Sequence, residues 1–268
     1  MPADGSSAPL LLNDALVTDG DVEWFERGSD GDSVAYVADQ EVNDRMELFR
    51  TPIASGGPVK VNKPLVPGGN VSDFSFSPDG AYLVYTADQQ TDEQYNIYSV
   101  LLPGGPPQKL NQNLGPSQYL YGVTFSPDSS FLLYEVYSET AEATTLFSVR
   151  LDGSGGPDQV NDATGVGSGA GSYQITADSQ RVIYKADQEK AGVYELYSAA
   201  PFGSGQAVRL SGPLVGGGSV EQFDVSPDDS RVVYTADQDR DDVVELYAAT
   251  LPENPGPEKM IFLPVSLR

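Results

Sequence analysis

Hydrophobic and polar positions repeat along this chain with a period of about 50 residues. Within each unit, apolar residues first alternate with polar ones, as in a half-buried strand, and then run continuously, as in a strand buried on both faces. Unit two shows this in Val71–Phe76 and Ala81–Tyr85, which are followed by an apolar stretch, Asn96–Val100, and a polar one, Gln108–Asn111. The pattern predicts four antiparallel strands per unit, joined by short turns, without helical periodicity of useful length.

Two sets of equivalent residues establish the repeat. A tyrosine closes the continuous apolar strand of each unit, and a leucine or isoleucine follows it twelve residues later. Both sets are spaced by 49, 49, 50 and 50 residues, by subtraction of residue numbers. Units of this size bury both faces only by stacking on one another. The two sets are Tyr36, Tyr85, Tyr134, Tyr184 and Tyr234, and Leu48, Ile97, Leu146, Leu196 and Leu246.

The sequence therefore predicts an all-β fold, a β-propeller of five blades with four antiparallel strands each. Residues 9–262 are expected to form this single domain, after a disordered or engineered start at 1–8 and before a tail at 263–268. Residues 9–13 match the last strand of unit one and are expected to form an extra outer strand. Residues 257–262 occupy the same position at the other end, so ring closure and membership of a longer array stay open. The predicted blades span about 22–62, 71–111, 121–161, 173–211 and 220–262.

Composition removes several kinds of chemistry. The chain has 268 residues with 28 Gly, 20 Pro and 39% hydrophobic residues, which fits a turn-rich β fold. It has neither Cys nor His, which excludes disulfides, thiolate catalysis, Ser-His-Asp triads and Cys or His metal ligands. No apolar run reaches about 18 residues, and the first residues lack the apolar core of a signal peptide. We expect a non-enzymatic protein that does not insert into a membrane.

The chain is strongly acidic, with 15 Lys and Arg against 39 Asp and Glu and a net charge of −24. Such a surface repels nucleic acid and anionic membranes. It serves either to keep the chain soluble or to attract cations and basic partners. The predicted partner is a protein or peptide of basic character, and the oligomeric state stays open.

Several repeated residues resemble those of a known family. Ser77-Pro-Asp-Gly80, an apolar strand, an Asp-led turn and Glu245-Leu-Tyr247 resemble the WD40-like (PD40) repeat of TolB-type bacterial β-propellers, over about residues 9–262. The resemblance implies a scaffold or protein-binding platform, or an accessory domain of a peptidase. It also implies an extracellular or periplasmic location. The chain differs from TolB itself in having five units and no separate α/β domain.

The acidic turns allow two interpretations. Their aspartates either accept hydrogen bonds from the turn backbone or contribute oxygen ligands to Ca²⁺. Calcium is the one cofactor that this pattern suggests, and the EF-hand spacing is absent. Acids that recur at equivalent strand positions, such as Glu47, Glu195 and Glu245, are expected to serve the blade rather than a glycosidase-like carboxylate pair. The candidate calcium ligands are Asp88, Asp92, Asp237, Asp239 and Asp241.

Unit three departs from the repeat, and a single functional site requires such asymmetry. Glu135-Val-Tyr-Ser138 replaces the usual Ala-Asp-Gln, and two further tyrosines lie nearby. The candidate ligand-binding residues are Tyr119, Tyr121, Glu135 and Tyr137, and ordinary drift between repeats is the alternative. We predict a protein- or peptide-binding scaffold. The alternatives are a multivalent lectin-like propeller and a hydrolase or lyase built on carboxylates.

Overall fold

The computed structural model describes residues 9–161, 167, 169–203 and 207–252. In this part of the chain every regular element is a strand, and the strands form five antiparallel sheets in chain order. Four sheets have four strands, and the fifth has three. The all-β prediction with one sheet per repeat is confirmed, and the sheets are called blades one to five below.

The strands follow the repeat. Blade one contains β1 (Val22–Arg27), β2 (Ser33–Ala38), β3 (Glu47–Pro52) and β4 (Val59–Lys60). Blade two contains β5 (Val71–Phe76), β6 (Tyr82–Ala87), β7 (Asn96–Leu101) and β8 (Gln108–Lys109). Blade three contains β9 (Gln118–Phe125), β10 (Phe131–Ser138), β11 (Ala143–Arg150) and β12 (Asp158–Gln159). Blade four contains β13 (Ala170–Ile175), β14 (Val182–Ala186), β15 (Glu195–Ala199) and β16 (Val208–Arg209). Blade five contains β17 (Val220–Val225), β18 (Arg231–Ala236) and β19 (Glu245–Thr250).

Two first strands begin earlier than the sequence pattern indicated. β9 begins at Gln118 rather than Tyr121, and β13 begins at Ala170 rather than Tyr173. All five first strands shift register at a β-bulge against their second strands, and Ala170 pairs with Ala186 as Val22 pairs with Ala38. A bulge adds one residue and reverses the alternation of faces, so a pattern of period two ends there.

The fourth strands of blades one to three are short, and an asparagine side chain follows each of them. In blade two the strand stops at Lys109, and the Oδ1 atom of Asn111 accepts a hydrogen bond of 2.9 Å from the Ile97 N–H. Asn62 does the same for the Leu48 N–H at 2.8 Å. The side-chain oxygen takes the place of a ladder carbonyl, so the third strand stays paired after the fourth has ended.

The predicted extra strand at residues 9–13 does not form a strand in the structure. Leu10 and Leu11 are 45% and 71% exposed, and no third strand of the described residues pairs with them. The predicted segments 1–8, 257–262 and 263–268 lie outside the described residues. Among the described residues, no helix has the length and apolar character needed to span a bilayer.

The hydrophobic core lies between the blades rather than within them. Each of four clusters joins two neighbouring blades, as where Leu196 of blade four packs with Tyr234 of blade five. The repeated tyrosine of each second strand also stacks on a third-strand aromatic ring, as Tyr85 does on Tyr98 at 5.1 Å between centroids. Within the described residues no such cluster joins blade five to blade one. In the described part of the chain, four apolar interfaces thus join the five blades in chain order.

Candidate functional site

The unusual residues of blade three lie together on two paired strands. The register of β9 against β10 places Tyr121 opposite Glu135 and Tyr119 opposite Tyr137. The rings of Tyr121 and Tyr137 meet edge to face, with centroids 6.5 Å apart. These four residues, together with Tyr173 of blade four, are called the Tyr–Glu cluster.

A glycine bulge brings the cluster close to the backbone. Gly122 has a φ of +51° and follows Tyr121 at the register shift of β9. A Cβ atom at this position would lie 3.3 Å from the Tyr173 hydroxyl and 3.4 Å from the Glu135 Oε2 atom. Both oxygens therefore approach a stretch of backbone that only glycine leaves open.

Tyr173 joins the cluster from the neighbouring blade, and the sequence reasoning missed it. Its hydroxyl lies 3.3 Å from the Thr124 Oγ1 atom of blade three. Burial raises the pKa of this phenol, and the negative charge of Glu135 raises it further. Tyr173 occupies the position of Phe74 in blade two and Phe223 in blade five, so it looked like a core residue. The sequence signal that could have identified Tyr173 is its hydroxyl, because the equivalent positions of the other blades carry apolar side chains.

The cluster combines exposed aromatic surface with a carboxylate that lacks a cation. Tyr119 and Tyr121 are 40% and 53% exposed. Burial raises the pKa of the Glu135 carboxyl, and in the described part of the chain no Lys or Arg forms an ion pair with it. The charge of Glu139 raises the pKa of the Tyr119 phenol. This arrangement can accept a cation or a strong hydrogen-bond donor.

A polar cavity of about 230 Å³ lies at the same junction of blades three and four. Gln118 and Ser138, which pair next to Tyr119 and Tyr137 in the sheet, contribute to its lining. Gln188 contributes from blade four. None of the described residues that line it belongs to the Tyr–Glu cluster, because neighbouring residues of a strand point to opposite faces of the sheet.

The acidic turns are used for structure in the described residues. Asp88 is 1% exposed, and its two carboxylate oxygens accept hydrogen bonds from the N–H groups of Asn70 at 2.5 Å and Glu93 at 2.9 Å. Asp39 links the N–H groups of Asp21 and Asp44 in the same way, and the first of these bonds contributes most to lowering its pKa. Each aspartate thus connects two loops of its blade.

The candidate calcium ligands do not converge. Asp237 accepts a hydrogen bond from the Ser219 N–H, and Asp239 lies near Tyr247. The carboxylates of Asp92 and Asp241 lie against glycine turns: a Cβ on Gly68 would be 2.6 Å from Asp92, and one on Gly217 would be 2.8 Å from Asp241. In the described residues no three acidic side chains form a group that could hold a metal ion. At Asp88, each carboxylate oxygen already accepts one backbone hydrogen bond.

The repeated glutamates also have local partners. Glu47 accepts two hydrogen bonds of 2.8 Å from the Lys60 ammonium, and Glu195 accepts one of 2.8 Å from Arg209. Each of these pairs connects a third strand to its fourth strand. Their equivalent use in blades one and four agrees with a structural role.

Comparisons with known proteins find the fold but no family. No known family and no curated protein matches the sequence. Among solved structures, dipeptidyl peptidase 4 of Porphyromonas gingivalis is 13% identical, with 85% of this chain and 37% of that chain covered and a TM-score of 0.59. A prolyl endopeptidase is 17% identical, with 92% and 37% covered and a TM-score of 0.52. A candidate TolB from Agrobacterium tumefaciens is 20% identical, with 85% and 78% covered and a TM-score of 0.43.

The chain thus spans little more than a third of the peptidases that it resembles. At these identities the likeness concerns the fold alone. The chain is an all-β repeat protein of the propeller type.

Proposed function

We propose that this chain is a non-enzymatic propeller scaffold that binds a basic protein or peptide segment at the Tyr–Glu cluster. The observation that supports the proposal most directly is Glu135, a half-buried carboxylate without an ion-pair partner among the described residues, next to the exposed rings of Tyr119 and Tyr121. An unpaired, partly desolvated charge has a free-energy cost in the folded chain, and such groups occur preferentially at functional sites.

The site occurs in one blade. The positions equivalent to Glu135 carry Val37, Thr86, Lys185 and Thr235. A lectin-like propeller with equal sites in several blades would repeat its binding residues. The asymmetry therefore favours one binding site over several.

The chemistry of the cluster suits a lysine or arginine side chain. The ring faces of Tyr119 and Tyr121 offer cation–π contacts worth roughly 0.5–1 kcal/mol at exposed sites. Glu135 then supplies a charge-assisted hydrogen bond. The net charge of −24 attracts basic segments over longer distances.

An extracellular or periplasmic bacterial location, which the family resemblance implies, is part of the proposal. A scaffold role is also compatible with the two peptidases, in which the matching region makes up 37% of each chain. In such a setting the chain would bind and position a peptide, while another domain would perform the chemistry.

A peptide-binding experiment tests the proposal. Lys- and Arg-rich peptides are screened for binding, and the best one is titrated by calorimetry against the wild type, Glu135→Gln and Tyr121→Ala. We expect each variant to weaken binding roughly tenfold, or about 1.4 kcal/mol. Glu221→Gln in blade five is the matched control, because it changes the net charge equally on an exposed first strand.

Two results would count against this assignment. If Glu221→Gln weakens binding as much as Glu135→Gln, the attraction is due to overall charge and the site is wrong. If titration with glycans reveals several equal sites, the lectin-like alternative is favoured instead.

A further inference from the structure

The outer face of blade five is built like an interface but has no neighbour. Leu246 is 74% exposed and Val233 is 45% exposed. The residues at the same positions in blade four, Leu196 and Ile183, are both 0% exposed because blade five covers them. Exposed apolar surface of this kind marks an interaction site in soluble proteins.

The first face of blade one is exposed in the complementary way. Phe25 is 71% exposed and Val22 is 39% exposed. The equivalent residues of blade two, Phe74 and Val71, are 6% and 1% exposed, because they pack on blade one. The series of blades thus ends in two unpaired halves of the interface that it repeats internally.

Two cavities at equivalent positions show how the exposed face of blade five would fit the exposed face of blade one. Between blades two and three, a cavity of about 150 Å³ has Ser75 and Val84 of blade two in its floor. Val123 and Phe125 of blade three close it. The inner strands of neighbouring blades therefore meet across this cavity.

The end face of blade five carries the same cavity without a cover. Asp224 and Val233, which occupy the positions of Ser75 and Val84, line a cavity of about 210 Å³. Its floor includes Leu246. The residues of blade one at the positions of Val123 and Phe125 are Phe25 and Arg27. Phe25 is thus the side chain that would enter the open cavity.

The charges at the two ends are complementary. The position of Arg27 is apolar in every other blade, whereas Asp224 places a carboxylate at the facing position of blade five. At the interface of blades four and five, Gln174 occupies the position of Asp224, and Val225 occupies the position of Arg27. The Gln174 Oε1 atom accepts a hydrogen bond of 3.3 Å from the Val225 N–H. In the same geometry, Asp224 would lie beside Arg27. The equivalent apolar residues are Phe76, Phe125, Ile175 and Val225.

We propose that the end face of blade five binds the first face of blade one in a second copy of this chain. Phe25 of one copy fills the cavity floored by Leu246 of the other, and Arg27 pairs with Asp224. The two faces lie at opposite ends of the series, and no hydrophobic cluster of the described residues brings them together within one chain. Such a head-to-tail contact uses two different surfaces and produces closed rings or open filaments.

Cross-linking between introduced cysteines tests the contact, because the chain has no cysteine of its own. A Phe25→Cys chain is mixed with a Leu246→Cys chain under mild oxidation. We expect a disulfide-linked species of twice 28.6 kDa that forms several times faster than either homodimer. Val59→Cys mixed with Leu246→Cys is the matched control, since Val59 is 68% exposed on the fourth strand of blade one. That pair should form no such species.

A second measurement uses intact faces. Sedimentation of the wild type should show a mass that rises above 28.6 kDa with concentration. Arg27→Asp alone and Asp224→Arg alone should each abolish the rise, and the double variant should restore it.

Three results would overturn the proposal. A Phe25→Cys/Leu246→Cys double variant that forms only an internal disulfide would show that blade one of the same chain closes the ring. Absence of any cross-link between the mixed chains would show that these two faces do not meet. A wild type that remains monomeric at all concentrations would contradict self-association directly. None of these results bears on binding at the Tyr–Glu cluster.

Discussion

Leu196 and Leu246 occupy the same position on the third strands of neighbouring blades, yet their side chains are 0% and 74% exposed. The difference arises from what lies against the strand. Blade five covers Leu196, whereas no blade of the described residues covers Leu246.

This pair gives the first prediction. Leu196→Ala should lower the free energy of unfolding by about 2–5 kcal/mol, because it leaves a cavity in a packed interface. Leu246→Ala should change it by less than about 0.5 kcal/mol in dilute solution, where the face is free. Urea unfolding of both variants at low protein concentration measures the difference. Equal costs would mean that Leu246 is buried in the monomer.

The second prediction concerns the aspartate that connects two loops in blade two. Asp88→Ala removes a buried carboxylate that holds the N–H groups of Asn70 and Glu93, and we expect a loss of about 2–4 kcal/mol in unfolding free energy. Asp92→Ala, four residues later on the exposed turn, is the control and should cost less than about 0.5 kcal/mol. Both are measured by chemical denaturation. A small effect at Asp88 would contradict the structural role assigned to the acidic turns.

The third prediction concerns Glu135 and pH. Because burial raises the pKa of this carboxyl above its ordinary value of 4.5, the folded chain holds more protons than the unfolded chain between the two values. Stability therefore falls as the pH rises through that interval. Glu135→Gln removes the ionisation, so it should raise the Tm at neutral pH and change it little below pH 4.5. Thermal melts across this range test the sign. A lower Tm at neutral pH would show that the carboxylate stabilises the fold.

The fourth prediction concerns Asp228 in the last Ser-Pro-Asp turn. Hydrogen bonds from the side chain of Ser226, and then from Ser230, lower the pKa of this carboxyl to about 2. Its stabilising effect is present above the ordinary value of 3.8 and disappears as the pH falls towards about 2. Carbon-detected NMR titration of the carboxyl should give this pKa in the wild type and a value closer to 3.8 in Ser226→Ala. An unchanged value in the variant would refute the assigned cause.

The candidate site was only partly predictable. The break in the repeat indicated Glu135 and its neighbouring tyrosines, because a residue that departs from four equivalent positions is visible without any structure. The contribution of Tyr173 was marked in the sequence only by its hydroxyl, because it lies in the next repeat and its position carries core aromatics elsewhere. Only the packing of blades three and four shows that its hydroxyl lies within reach of Thr124 at 3.3 Å.

The sequence alone determined the repeat, the strand content and the turns, because each blade is a local unit whose alternating and continuous apolar stretches lie within about 50 residues. The tertiary structure decided two features that the alternation of apolar and polar residues does not predict. These are the bulges in β9 and β13 and the use of acidic turns as connections between loops. It also decided that the outermost apolar faces, on Phe25 and Leu246, stay exposed. The physical reason is that burial depends on what packs against a blade, and equivalent residues in different blades have different neighbours.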